Sequence, residues 1–135
     1  MNEVYKSFLR EVEGLKLNVY KDTKGILTIG YGRNLESRGI NVTEAELMLD
    51  RDVNSVIADL IDIFPNFFNF PENLRVVLVS MMFNLGKSRF LTFKKFIDAV
   101  KRGDKKAMVY ELLNSNRAKQ LPNRVTKEKF LLLKI

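Results

Sequence analysis

The spacing of apolar residues changes from helical to alternating within the first third of the chain. Apolar side chains in residues 3–12 follow the three- and four-residue spacing of one helix face, and Gly14 then offers a left-handed helix end. Residues 15–32 mix apolar residues with turn formers instead, which predicts a small β-hairpin or meander. We expect its turn at residues 22–25.

Helical spacing returns after the hairpin and continues to the end of the chain. Asn41 and Thr43 are both candidate N-caps of a long helix, because each has a glutamate three residues later. The most apolar stretch, residues 74–85, predicts a buried central helix that Gly86 stops. The long helix continues through residues 49–60, and the other predicted helical segments are residues 93–103, 108–113 and a turn or short helix from Pro122.

These elements predict an α+β fold for residues 1–135, mostly helical with a small β-sheet near the amino terminus. We expect a small β-containing lobe over about residues 14–42, an interlobe helix over about residues 43–62 and a helical lobe over about residues 63–135. The first helix, residues 3–13, is expected to pack back on the helical lobe. A cleft between the two lobes would then have the hairpin as one wall.

Cysteine and histidine are both absent from the 135 residues. Their absence excludes disulfide frameworks, thiolate metal sites, cysteine nucleophiles and Ser-His-Asp triads. Acid–base chemistry near neutral pH therefore falls to carboxylates, or to a perturbed lysine or tyrosine. The sequence contains no evident cluster of metal ligands, so we expect neither a metal nor another cofactor.

The amino terminus does not resemble a signal peptide. Residues 1–16 carry charged side chains throughout and contain no apolar core. The longest nearly apolar run, residues 76–83, is far too short to span a bilayer. We therefore expect a protein without a transmembrane segment, made in the cytoplasm without a signal peptide. A monomer is the default expectation for a small protein with a cleft. Action outside the cytoplasm would require a separate route of release.

The net charge of +7 is concentrated in the second half of the chain. Residues 1–62 contain 8 basic and 11 acidic residues, a balance of −3, whereas residues 63–135 contain 15 basic and 5 acidic residues, a balance of +10. Such a surface favours an anionic partner, either nucleic acid, an acidic membrane or a cell-wall polymer. A solvated, lysine-rich helical surface without a partner is the alternative.

Three side chains near the amino terminus form a candidate catalytic set. Glu13 is expected at the end of the first helix, where the helix dipole and free carbonyl groups disfavour an ionised carboxylate. A general acid must stay protonated near neutral pH, so this position suits that role. Asp22 in the hairpin turn and Thr28 in the next strand can face it across a groove. Paired carboxylates are typical of glycosidic cleavage. Structural roles at a helix end and in a turn explain the same spacing.

The sequence around these three residues forms a longer pattern. It consists of residues 13–17 (Glu-Gly-Leu-Lys-Leu), 20–22 (Tyr-Lys-Asp), Gly25 and 28–32 (Thr-Ile-Gly-Tyr-Gly). This pattern resembles the opening of the phage-type lysozymes, the glycoside hydrolase family that includes the T-even phage enzymes. The family signature is a glutamate, eight residues, an aspartate, five residues and a threonine, which Glu13, Asp22 and Thr28 match without a gap.

The resemblance implies a lysozyme-like fold and an endolysin that hydrolyses the β-1,4 bond between N-acetylmuramic acid and N-acetylglucosamine in bacterial peptidoglycan. It makes Glu13 the proton donor, while Asp22 and Thr28 hold and activate the attacking water in an inverting reaction. An inverting site predicts a separation of roughly 6.5–9.5 Å between the two carboxyl groups. Gly30 and Gly32 are expected to permit close backbone approach. A virion-associated lysozyme is a variant of this hypothesis.

Weaker similarity to the family continues along the chain and suggests substrate-binding residues. The matching stretches are residues 44–46, 52–53, 83–86, 115, 120 and 122–124. The resemblance implies substrate-binding roles for Tyr31, Phe83, Asn84 and Arg124, with Arg124 near Glu13. Each of these residues also has a structural alternative: Phe83 as part of the core, Tyr31 as part of the packing of the hairpin, and Arg124 as part of the ordinary basic surface.

Some residues depart from the family pattern. Arg33 stands where many members carry a histidine, and we expect it to form an ion pair with Asp52. Arg117 and Ala118 replace aromatic residues that are common in the late segment. The segment of residues 34–40 is shorter than the matching segment of the longest relatives, so one wall of the expected cleft should be shorter too. These departures leave the three motif residues intact.

Two other hypotheses use the basic half of the chain. One is a non-catalytic basic helical module that binds nucleic acid or anionic envelope polymers through the lysines and arginines of residues 87–106. Aromatic residues in this stretch are better explained as core, and no recognised nucleic-acid motif is present. The other is membrane disruption by the amphipathic segment of residues 92–102. In the lysozyme hypothesis, the basic half holds the protein on the anionic cell envelope.

Overall fold

The computed structural model describes residues 2–135 as an α+β fold, which confirms the predicted fold class. Its helices are α1 (Glu3–Glu13), α2 (Val42–Ile63), α3 (Glu72–Phe90), α4 (Lys94–Arg102), α5 (Lys105–Leu113), α6 (Asn116–Gln120) and α7 (Pro122–Leu133), with a short 3-10 helix at Phe67–Asn69. Its strands are β1 (Lys16–Lys21), β2 (Leu27–Gly30) and β3 (Arg33–Asn34). The chain divides into two compact units between Met48 and Leu49.

The first unit contains α1, the sheet and the start of α2. Gly14 ends α1, and its N–H donates to the carbonyl of Arg10 at 3.1 Å. The three strands then form an antiparallel sheet in the order β1-β2-β3. Thr28 of β2 lies opposite Tyr20 of β1 and Asn34 of β3. The candidate threonine therefore occupies the central strand of the sheet.

Asn41, rather than Thr43, caps α2. Its Oδ1 accepts the N–H of Glu44 at 2.8 Å, and Glu44 Oε1 accepts the N–H of Asn41 at 3.0 Å, which completes a capping box. The same carboxylate binds the guanidinium of Arg33 through two contacts of 2.7 Å. The predicted pairing of Arg33 with Asp52 is therefore wrong, because the short connection from β3 returns Arg33 to the first turn of α2.

We expect acid titration of Glu44 to weaken the connection between β3 and α2. The hydrogen bond from the Asn41 N–H, followed by that from Arg33, holds the pKa of the Glu44 carboxyl below its ordinary range. A pKa lowered by folding stabilises the protein above the unfolded pKa of about 4.3, and this stabilisation is lost as the pH falls through the folded pKa. Urea unfolding of Glu44→Gln should therefore show a smaller loss of unfolding free energy between about pH 7 and pH 3 than the native protein.

The matched control for this titration is Glu46→Gln, which changes a carboxylate on the same helix outside the capping box. We expect its pH dependence to follow that of the native protein. A Glu44→Gln variant whose unfolding free energy varies with pH as strongly as that of the native protein would contradict the assigned role of Glu44.

The core of the second unit is built around α3. Its buried apolar side chains are Leu60, Phe64, Phe67, Leu74, Val77, Leu78, Met81, Met82, Phe90, Phe96, Ile97, Ala99, Val100, Met108, Leu112, Val125 and Leu132. Gly86 interrupts α3 with a φ of +77°, as predicted, but helical geometry resumes beyond it and continues to Phe90. Phe90 is fully buried and contacts the ring of Phe64 edge to face, so core packing holds this last turn.

The apolar face of α4 is part of this core. Phe96, Ile97 and Val100 are buried, as expected for core residues, and this face is not free to enter a membrane while the unit stays folded. Within residues 2–135, no single helix is both long and apolar enough to cross a membrane. Only α3 and α4 taken together reach that length and composition, and the chain bends by 120° between them.

Candidate active site

Glu13 is the last residue of α1, and its carboxyl group lies against the backbone of Gly32. A Cβ atom added to Gly32 would lie 2.5 Å from Glu13 Oε2 and 2.9 Å from Glu13 Cδ, closer than side-chain atoms normally approach each other. Gly32 also has a φ of +73°, a backbone angle that other residues rarely adopt. The expected close approach at Gly32 is therefore present, and the approaching group is the predicted proton donor.

Asp22 and Thr28 meet at one backbone carbonyl, that of Ile26. The N–H of Asp22 donates to this carbonyl at 2.9 Å, and the hydroxyl of Thr28 donates to it at 2.8 Å. Asp22 Oδ1 also accepts the N–H groups of Lys24 and Ile26 at 2.8 and 2.9 Å. Asp22 Oδ2 takes no part in these bonds. The hairpin turn thus brings the predicted aspartate and threonine together and leaves one carboxylate oxygen outside the turn.

Tyr31 lies between Gly30 and Gly32, in the connection from β2 to β3. Its side chain is 47% exposed, and it lines a small groove of the first unit together with Leu9 and Arg10 of α1. For this half-exposed ring, contact with sugars and packing against the hairpin both stay predictions.

The other candidate residues lie on α3 and α7 of the second unit. Phe83 is 44% exposed, so its placement in the core is wrong. Asn84 Oδ1 accepts a hydrogen bond from Arg117 Nε at 2.9 Å. Arg124 is tied to α3, because its Nε and Nη2 donate to the hydroxyl and the backbone carbonyl of Ser80 at 3.1 and 2.9 Å. Arg124 is therefore held in place, unlike a plain surface arginine.

The predicted site residues fall into two sets, one in each compact unit. The three motif residues and Tyr31 belong to the first unit, and the three other candidates belong to the second. The expected separation of the two carboxyl groups and the expected position of Arg124 near Glu13 stay predictions. Within the described residues, no group of three or more His, Cys, Asp or Glu side chains is arranged to hold a metal ion.

Comparison with known proteins extends the resemblance beyond the motif. The family model described as phage lysozyme matches residues 10–128. The chain belongs to the phage lysozyme family. Two similar proteins come from Dictyostelium discoideum: probable T4-type lysozyme 1, 28% identical, and probable T4-type lysozyme 2, 26% identical, each match covering 88% of this chain and 87% of the relative. Membership of the phage lysozyme family supports a lysozyme function and, at family level, a glycoside hydrolase.

Sequence analysis missed one feature of this member of the family, a buried ion pair between Arg117 and Glu128. Each side chain is only 3% exposed, and the shared contacts join α6 to α7. A signal was present in the sequence, because Glu128 occupies the same helical face as the buried Val125 and Leu132. A carboxylate in such a position requires a buried partner, and Arg117 was visible as a departure from the family pattern.

Proposed function

We propose that this protein hydrolyses the β-1,4 bond between N-acetylmuramic acid and N-acetylglucosamine in bacterial peptidoglycan by an inverting mechanism. The observation that carries the proposal is the placement of the motif side chains within one unit. The carboxyl of Glu13 lies against Gly32, and Asp22 and Thr28 share the Ile26 carbonyl. Two carboxylates in different surroundings match the acid and base roles of glycoside hydrolysis.

In this mechanism Glu13 donates its proton to the glycosidic oxygen as the bond from that oxygen to the anomeric carbon breaks. Water forms the new bond to the anomeric carbon from the opposite face and gives a proton to Asp22. Asp22 Oδ1 is occupied by two backbone N–H groups, so Oδ2 is the oxygen left to accept that proton. The Thr28 hydroxyl already donates to Ile26, so its oxygen accepts a hydrogen bond from the same water.

The remaining candidate residues and the charge distribution complete the proposal. Tyr31, Phe83, Asn84 and Arg124 contact the glycan. The basic second half holds the protein on anionic polymers of the cell envelope. The protein acts as a monomeric endolysin, made in the host cytoplasm, that reaches the wall after release and lyses the host cell.

Digestion of purified peptidoglycan tests the reaction directly. Mass spectrometry of the soluble products should show fragments with N-acetylmuramic acid at the reducing end. NMR during the first turnovers should show the α-anomer of that reducing sugar before mutarotation, as inversion of a β-linkage requires. Fragments ending in reducing N-acetylglucosamine, or cleaved peptide stems alone, would exclude the proposed bond. An initial β-anomer would exclude the inverting mechanism.

Substitution of Gly32 is expected to displace the proton donor. In Gly32→Ala the added methyl group collides with the Glu13 carboxyl, and a misplacement of about 1 Å in a catalytic group costs about 100-fold in rate. The positive φ adds a stability loss of about 1–2 kcal/mol. The measurements are the rate of wall clearing and the unfolding free energy.

Gly30→Ala is the matched control for Gly32→Ala. Gly30 has a φ of +71°, almost the same as Gly32, but no atom lies within 4 Å of the position of an added Cβ. The two variants should therefore lose similar amounts of stability, and only Gly32→Ala should lose most of its activity. Equal clearing rates in the two variants would show that contact with Gly32 does not position Glu13.

A further inference from the structure

Five polar side chains of the second unit form a continuous hydrogen-bonded network between α3, α6 and α7. We refer to them as the Arg117 network, and its members are Ser80, Asn84, Arg117, Arg124 and Glu128. The network joins residues that are up to 48 positions apart in the sequence. It includes two of the proposed substrate-binding residues, Asn84 and Arg124.

The centre of the network is the buried pair of Arg117 and Glu128. Arg117 Nη2 donates to Glu128 Oε2 at 2.8 Å, and Arg117 Nη1 donates to Glu128 Oε1. This two-point contact fixes the plane of the guanidinium group. The third direction of the guanidinium, at Nε, then points to Asn84.

The contact with Arg117 decides which way the Asn84 amide faces. A guanidinium group only donates hydrogen bonds, so the atom of Asn84 that faces Arg117 is the carbonyl oxygen. The NH₂ group of Asn84 must therefore face away from Arg117. Asn84 is exposed, so these N–H donors are open to solvent and to a ligand.

The same network orients Arg124. Glu128 Oε2 accepts the hydroxyl of Ser80 at 2.6 Å, and Ser80 in turn accepts Arg124 Nε and Nη2 through its hydroxyl and backbone oxygens. These bonds use one edge of the Arg124 guanidinium and leave Nη1 outside them. The Arg124 side chain is 39% exposed, so this donor is also within reach of a ligand.

We propose that Arg117 and Glu128 are positioning residues that fix Asn84 and Arg124 as hydrogen-bond donors toward the glycan. This inference rests on the proposed function, and it specifies the groups that are recognised. Two oriented donors select hydrogen-bond acceptors, and the carbonyl oxygens of the N-acetyl and lactyl groups are such acceptors in peptidoglycan. A buried ion pair is often no more stabilising than apolar residues of similar volume, so orientation is a sufficient reason for placing one here.

A binding experiment tests the coupling between the pair and Asn84. The parent protein carries Glu13→Gln, so that it binds glycan without cleaving it, and calorimetry measures the Kd of a soluble tetrasaccharide of alternating N-acetylglucosamine and N-acetylmuramic acid. In this parent, Asn84→Ala should weaken binding by about fivefold to tenfold. With Arg117→Met and Glu128→Leu added together, Asn84→Ala should change the Kd by less than about twofold, because the amide is no longer oriented.

Two single substitutions test the inference even if the variant with both Arg117→Met and Glu128→Leu does not fold. Asn84→Asp retains an oxygen toward Arg117 but has no N–H donor, so it should bind glycan as weakly as Asn84→Ala without losing thermal stability. Arg117→Lys retains a charge beside Glu128 but lacks the Nε that donates to Asn84. In this background, Asn84→Ala should therefore cause a smaller loss of glycan affinity than in the parent.

The outcomes separate this inference from the proposed function. An Asn84→Ala effect of equal size in every background, or an Asn84→Asp variant that binds as tightly as the parent, overturns the positioning role while the lysozyme function stands. Failure of the Glu13→Gln parent to bind the tetrasaccharide, together with failure of the native protein to release wall fragments, overturns both.

Discussion

Glu13→Gln should abolish peptidoglycan cleavage while leaving the fold intact. The amide has nearly the same shape as the carboxyl group beside Gly32, but it has no acidic proton to give to the leaving oxygen. General acid catalysis contributes about 10²–10⁴-fold, so the rate of fragment release should fall by at least that order. The measurement is mass spectrometry of the soluble fragments from equal amounts of native and variant protein, with circular dichroism to compare their folds.

The chain offers a matched control for this substitution two positions earlier. Glu11 lies on the same helix, and Glu11→Gln removes the same charge without changing the proposed proton donor. We expect Glu11→Gln to release fragments at nearly the native rate. Asp22→Asn should lose activity as severely as Glu13→Gln, although its carbonyl oxygen can still accept the two N–H groups of the turn. Native rates in Glu13→Gln or Asp22→Asn would remove the proposed mechanism.

Breaking the buried ion pair should have the largest effect on stability. Arg117→Met keeps a long side chain between α6 and α7 but removes the closest charged partner of the buried Glu128 carboxylate and leaves it only Arg124 Nε, 3.8 Å from Oε2. Loss of one partner of a buried pair costs about 3–5 kcal/mol, whereas an apolar replacement of both partners is often neutral. Urea unfolding should therefore show a large loss in Arg117→Met and recovery of most of it when Glu128→Leu is added.

An exposed ion pair of the same unit provides the comparison. Lys87 Nζ lies 3.0 Å from Asp62 Oδ2, and both side chains are open to solvent. Lys87→Met should show no measurable loss of unfolding free energy, because exposed pairs are screened by water and salt. If Arg117→Met and Lys87→Met have the same unfolding free energy, breaking the buried pair costs no more than breaking the exposed one, and the prediction is wrong.

The elements and the family motif were predictable because both depend on residues close together in the chain. Helical spacing marked α1 and α3, and turn formers marked the hairpin. The three motif residues lie within one helix end, one turn and one strand, so their local context identified them. Where predictions about elements failed, the reason was packing. Helical geometry resumes after Gly86 because Phe90 is anchored in the core, and Pro122 starts a 12-residue helix because buried side chains hold α7.

The sequence by itself determined the order of the elements, the fold class and the candidate acid, base and hydroxyl of the site. Only the tertiary structure decided that Arg33 binds Glu44, that Gly32 touches the carboxyl of Glu13, and that a buried arginine orients an asparagine 33 positions earlier in the chain. The physical reason is the distance along the chain over which each kind of interaction acts. Backbone propensity and side-chain spacing act over one or two turns, whereas the partner of a buried charge is chosen by whichever elements fold against it.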